Sequence, residues 1–127
     1  MMDHVKLSSL ARRIRSYNLY QYWDNNKLVY TEGVHWFADK LKCYWLIDEI
    51  GRVIFQKLLA EYFSSFYSIQ LLVHADCTAI ITVGNENDDT YFEHKINWTD
   101  CPIIGEPVSF YLCESEEYYC LMLPSEY

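Results

Sequence analysis

Glycine and proline are scarce in this chain, four and three among 127 residues. That scarcity excludes collagen-like and low-complexity architectures. No stretch approaches the roughly 18 unbroken apolar residues of a membrane span, and residues 1–17 carry charges where a secretory signal would be apolar. A soluble, cytoplasmic protein without membrane contact is expected. Paired cysteine spacings are also missing. Five cysteines, Cys43, Cys77, Cys101, Cys113 and Cys120, are an odd number with no C-x-x-C, which argues against a disulfide framework and a structural zinc site and suits a reducing compartment. No metal and no cofactor are expected.

Basic residues nearly vanish from the second half. Residues 64–127 hold Lys95 alone against eleven acids, whereas residues 1–63 hold nine basic and seven acidic residues, for a net charge of −8. Such a field repels phosphates, disfavours direct nucleic-acid binding and attracts basic surfaces. Nucleophile elbows, H-E-x-x-H, P-loops and G-x-G-x-x-G are absent, so enzyme chemistry has no positive support in local motifs.

What the chain has in quantity is apolar and aromatic side chains, 51% hydrophobic residues and twelve tyrosines. A chain of this length buries roughly two thirds of its unfolded surface, enough for one domain over residues 1–127 that folds without metal. Residues 3–16 read as a short amphipathic helix and residues 27–30 as a short strand, while the hydroxyl of Thr31 is placed to cap a following helix. Val34, Phe37, Ala38 and Leu41 share one helical face. From residue 46 the apolar face passes to Leu46, Ile47, Ile50, Val53, Ile54 and Leu58, so the helix must break near Lys42-Cys43. Asp48 and Arg52 then form a solvent-side i, i+4 pair.

Beyond residue 69 the period changes to that of strands. Residues 70–75, 78–83, 91–98, 108–113 and 118–123 are rich in β-branched and aromatic side chains and separated by turn chemistry. The expected fold class is α+β, with N-terminal helices packed on one face of a roughly five-stranded antiparallel meander. A turn at Ser115-Glu116 sets Leu112 beside Tyr119, Phe110 beside Leu121, and Tyr111 with Cys120 on the other face. That other face is expected to remain exposed or to receive a partner, and a homodimer stays open.

The stretches Tyr30-Thr31-Glu32-Gly33-Val34, Tyr44-Trp45-Leu46-Ile47-Asp48-Glu49-Ile50, Asn97-Trp98-Thr99-Asp100-Cys101-Pro102 and Leu123-Pro124-Ser125-Glu126-Tyr127 resemble, in order and spacing, a family of small uncharacterised bacterial proteins. In that pattern an aspartate stands at Glu32 and a phenylalanine at Cys101. Members often look like plasmid or phage cargo, so the resemblance implies a mobile-element setting and supplies no catalytic residue.

Candidate constellations are few. His35, Asp39 and Cys43 stand at i, i+4 and i+8, but the expected helix break disperses them. His74 and Cys77 bracket a turn, and Glu93-His94 alternate on a strand. Asp100 reads as the backbone-bonding residue of the turn before Pro102. The residues best placed for recognition are two clusters of turn acids, Glu86, Asp88 and Asp89 in one loop and Glu114, Glu116 and Glu117 in another. The expected function is therefore that of a non-catalytic interaction protein of a mobile element. Through this acidic surface it would bind and inhibit a host protein or nucleoprotein complex that handles nucleic acid in defence, as anti-CRISPR or anti-restriction proteins do. The alternative is a small enzyme or ligand-binding domain whose site is assembled from dispersed His and Cys residues.

Overall fold

The computed structural model describes residues 19–24, 27–87 and 89–127. The helix expected over residues 3–16 lies outside them, as does Asp88. The described chain runs through β1 (Tyr20–Gln21), β2 (Leu28–Tyr30), α1 (Glu32–Lys40), α2 (Tyr44–Glu49), a π-helical turn (Ile50–Ile54), α3 (Phe55–Glu61) and β3 (Phe66–Val73). Then come β4 (Ala79–Gly84), β5 (Thr90–Ile96), β6 (Val108–Glu114), β7 (Tyr119–Met122) and a closing 3₁₀ turn (Pro124–Glu126). The class is α+β.

Thr31 begins α1 as the sequence predicts. Its backbone is extended and its Oγ1 accepts from the Val34 N–H at 3.3 Å, satisfying one donor that the first helical turn leaves open. The break also falls where the apolar face reverses. Lys42 takes φ +56°, a left-handed conformation, and the chain restarts as α2 two residues later. Within the second helical run the π turn widens the spiral, and Val53 turns outward while Ile50 and Ile54 stay buried. Gly51 in this turn faces Tyr22, whose ring would lie 2.5 Å from a Cβ there. The buried Tyr22 donates its hydroxyl to Asp48 Oδ1 at 3.0 Å, and the indole of Trp23 donates to the same oxygen at 3.1 Å. Asp48 thus fastens the β1–β2 turn to the helix instead of forming the expected pair with Arg52.

The sheet corrects the expected five-stranded meander. Among the described residues it has seven strands in the order β1-β2-β7-β6-β3-β4-β5, mostly antiparallel, with β2 and β7 parallel. β3 pairs with both β4 and β6, so the chain crosses from the β5 edge back over two strands before β6 begins. That crossover is anchored by the Thr99 N–H on the Cys77 carbonyl at 2.7 Å and the Gly105 N–H on the Val73 carbonyl at 2.8 Å. The buried Thr99, and not the exposed Asp100, closes the turn before Pro102, its Oγ1 accepting from the Cys101 N–H at 3.1 Å. The β6–β7 hairpin pairs Leu112 with Leu121, Tyr111 with Met122 and Cys113 with Cys120. The expected register was displaced by two residues. Because side chains alternate with period two, that slip keeps every residue on its expected face.

Residues of the helices and of one sheet face form one buried cluster that includes Phe37, Leu46, Ile50, Phe55, Leu58, Tyr67, Ile69, Ile81, Phe110, Leu112 and Leu121. Phe37 meets Phe110 edge-on at 5.2 Å, and Phe55 meets Tyr119 at 5.3 Å. On the opposite face Val29, Cys113, Cys120 and Met122 are buried beneath Leu19, Phe66, Tyr111, Tyr118 and Tyr127. That face was expected to be open; at this end the chain covers it with its own rings, Tyr127 packing 5.5 Å from Phe66 and 5.3 Å from Tyr111.

The closing turn is held by Glu126, only 2% exposed. Its carboxylate accepts from the Thr31 hydroxyl at 2.6 Å, the Leu123 N–H at 2.9 Å and the Gly33 N–H at 3.3 Å. Two of the segments that carried the resemblance are therefore one latch, in which the C-terminal carboxyl side chain serves the first turn of α1.

Candidate functional site

Strand register decides where the acidic loops go. Ser68 of β3 faces Gly84 of β4 on one side and Tyr111 of β6 on the other, and the β4–β5 and β6–β7 turns therefore project from the same end of the sheet. With β3 between them, their near strands β4 and β6 are two strand spacings apart, roughly 10 Å. Glu86, Asp89, Glu114, Glu116 and Glu117 are all exposed there. Asn85 orders the first turn, its Oδ1 accepting from the N–H groups of Asn87 and Asp89 at 2.9 and 3.0 Å, while its amide donates to Asp89 at 3.2 Å. In the second turn the Ser115 N–H donates to the Tyr118 carbonyl at 2.7 Å, leaving Glu116 and Glu117 at the tip.

The segment that enters β3 emerges at this same end. Its backbone is fixed by tyrosines: the Tyr67 hydroxyl donates to the Tyr62 carbonyl at 2.6 Å and accepts from the Ser64 N–H at 2.8 Å, and the Tyr119 hydroxyl donates to the Ser64 carbonyl at 2.8 Å. The Glu114 N–H completes the set on the Ser65 carbonyl at 2.8 Å. Between these fixed points Phe63 is 84% exposed. An aromatic ring held out by a pinned backbone has little entropy left to lose on contact. Sequence periodicity did not single it out, because nothing about a Tyr-Phe-Ser-Ser run says which ring turns outward.

Electrostatics follow from this placement. Burial pushes the Tyr119 hydroxyl up to about 12, with Tyr67 and the Glu114 carboxylate adding to it. Tyr67 is raised by burial first and then by Tyr91 and Glu114, against the opposing hydrogen bonds from Ser64 and Tyr119. Tyr127 is raised by burial and then by Cys113 and Glu86.

Beside the second loop lies a cleft of about 670 Å³, lined by Lys27, by Phe55 and Leu59 of α3, and by residues 114–119. Its floor is apolar and its lip carries Glu114, Glu116 and Glu117.

The other candidates are not assembled into a site. Among the described residues no group of three His, Cys, Asp or Glu side chains converges as metal ligands. His35 stacks on Tyr20 with ring centres 4.1 Å apart, its Nδ1 buried without a hydrogen bond, while the exposed Asp39 accepts from Tyr44 at 3.5 Å. Cys43 is buried beside Cys101, and burial followed by that neighbour raises its thiol. His74 and Cys77 occupy an exposed turn, and His94 reaches back to Glu49 at 2.7 Å.

No described helix is long and apolar enough to cross a membrane. No curated protein and no solved structure matches the chain. Residues 5–127 match the pattern of one protein family, which takes in both halves of the latch, the helix break and both acidic turns; the chain belongs to that family of unknown function (DUF6876).

Proposed function

We propose that this chain is a non-catalytic interaction protein of a mobile element that docks its acidic end on a basic surface of a host nucleic-acid-handling defence complex and inhibits it, in the manner of anti-CRISPR or anti-restriction proteins. The observation that supports this reading is the convergence of two acidic turns, separated by about 25 residues in sequence, on one end of the sheet around the outward ring of Phe63. Interfaces draw their energy from a few central aromatic anchors, whereas surrounding charges steer the encounter. A partner of matching chemistry has an apolar pocket rimmed by Lys and Arg.

The test is a pull-down from host lysate followed by binding kinetics. Replacing Glu86, Asp88 and Asp89 together by Ser, or Glu114, Glu116 and Glu117 together, slows association at low salt, an effect that fades as ions screen the charges over about 8 Å at physiological strength. Phe63→Ser acts instead on dissociation, speeding it at least tenfold if the ring is an anchor. Wild-type association by both triple variants refutes the acidic-surface reading.

A further inference from the structure

The β6–β7 turn borders a cleft between α3 and the sheet. Phe55 and Leu59 of α3 and the ring of Tyr119, which meets Phe55 at 5.3 Å, supply apolar walls, and Lys27 and residues 114–118 complete the lining. Its volume of about 670 Å³ falls in the range of ligand sites, roughly 300–1,000 Å³. The geometry points to a binding site for a Lys or Arg side chain of a partner protein, its aliphatic stem lying on Leu59 and the Tyr119 ring and its cationic head meeting Glu114 and Glu117.

Three features select that occupant. The lip is net acidic, three carboxylates against Lys27, so an anionic or neutral group gains nothing at the mouth. Glu114 is the cross-strand partner of Tyr119, which sets a carboxylate beside the inner wall and not only at the outer rim. Among the described residues Glu117 makes no hydrogen bond or ion pair through its side chain, so a cation arriving there breaks nothing. Basic side chains with long methylene stems match an apolar shaft with a charged mouth, and aromatic walls add attraction for the cation.

This assignment rests on the docking reading for its biological partner, but its test does not need that partner. The purified protein, isotope-labelled, is titrated with a blocked Gly-Leu-Arg-Leu-Gly peptide and with the same peptide carrying Gln for Arg, while amide shifts are followed. The Arg peptide is expected to shift Glu117, Tyr118 and Tyr119 saturably, and the Gln peptide to leave them in place. Glu117→Gln weakens binding about threefold, as expected for one exposed charge. Leu59→Arg plugs the shaft with a tethered cation and abolishes binding; if that variant unfolds, Glu117→Lys at the exposed lip does the same without touching the floor. Equal shifts from the Gln peptide, or shifts elsewhere on the molecule, each overturn the assignment. Peptide binding without any partner in lysate retains the cleft and removes the docking reading; loss of the Arg preference while a partner still binds does the reverse.

Discussion

Gly33→Ala is the substitution for which helix propensity and the Glu126 latch give opposite signs. Gly33 lies in the first turn of α1 with an ordinary helical backbone, where alanine is better than glycine by up to about 1 kcal/mol. A Cβ at that position, however, would stand 2.6 Å from Glu126 Oε1 and 2.8 Å from Oε2. The carboxylate must withdraw, and in withdrawing it gives up the Gly33 N–H and strains the 2.6 Å bond from Thr31, in a place where it is 2% exposed and water cannot replace them. Hydrogen bonds to a charged group contribute about 1.5–3 kcal/mol each, so losing one and weakening the other outweighs the helix gain and leaves a net loss of about 2 kcal/mol. For a chain of this size that is a fall in Tm of about 6–12 °C by calorimetry. The cycle with Glu126→Ala isolates the cause. With the carboxylate gone, the added methyl meets open space and Gly33→Ala becomes neutral or slightly stabilising, a coupling of about 2 kcal/mol. A Tm unchanged or raised by Gly33→Ala in the otherwise native chain refutes the latch.

Two further outcomes follow from burial. Of the five thiols, Cys77 alone is exposed, so a thiol-titrating disulfide reagent should count one fast equivalent in the native protein and five in denaturant; two or more fast equivalents would show that a buried thiol is accessible. The Tyr119 hydroxyl, raised from 10.0 to about 12, and the Cys113 thiol, raised from 9.0 to about 12, are both favoured neutral by the fold. Their contribution is complete below the unfolded pKa values and is lost as pH climbs through the window from about 9 to 12, so the urea midpoint should fall steadily across it, and a constant midpoint to pH 11 contradicts the burial.

Much of the local structure could be read from the residues, and the reasons are local. The Thr31 cap and the break at Lys42 follow from a hydroxyl before a helix and from an apolar face that changes sides. Strand positions in the second half follow from period-two runs. The order of the strands does not, because a sequence of hairpin-like segments carries no sign that β6 returns beside β3 or that β7 pairs parallel with Leu28, Val29 and Tyr30. Asp48 looked like a surface acid because helical spacing aligns it with Arg52; the π turn and the side chains of Tyr22 and Trp23 reassigned it. The acidic turns were recognisable as turns, but their convergence depends on strand register, and the cleft and Phe63 depend on how α3 meets the sheet. Glu126 was legible only as part of an ordered ending at residues 124–127, which the Tyr127 ring calls for; that its carboxylate reaches Thr31 had no local sign.

The parallel pairing of β2 with β7 has a consequence for synthesis. A chain leaving the ribosome presents β2 about ninety residues before the strand that lies between it and β6, which is formed by residues 119–122. Until those emerge, the nascent sheet carries two bare edges facing a gap one strand wide, each able to recruit the wrong strand from a neighbouring chain. The gap closes late, by insertion and not by growth at a margin, and loop closure over about ninety residues makes that step slow. Premature termination anywhere before residue 119 therefore yields a product with an unfilled slot, a ready substrate for chaperones and proteases, rather than a smaller folded protein.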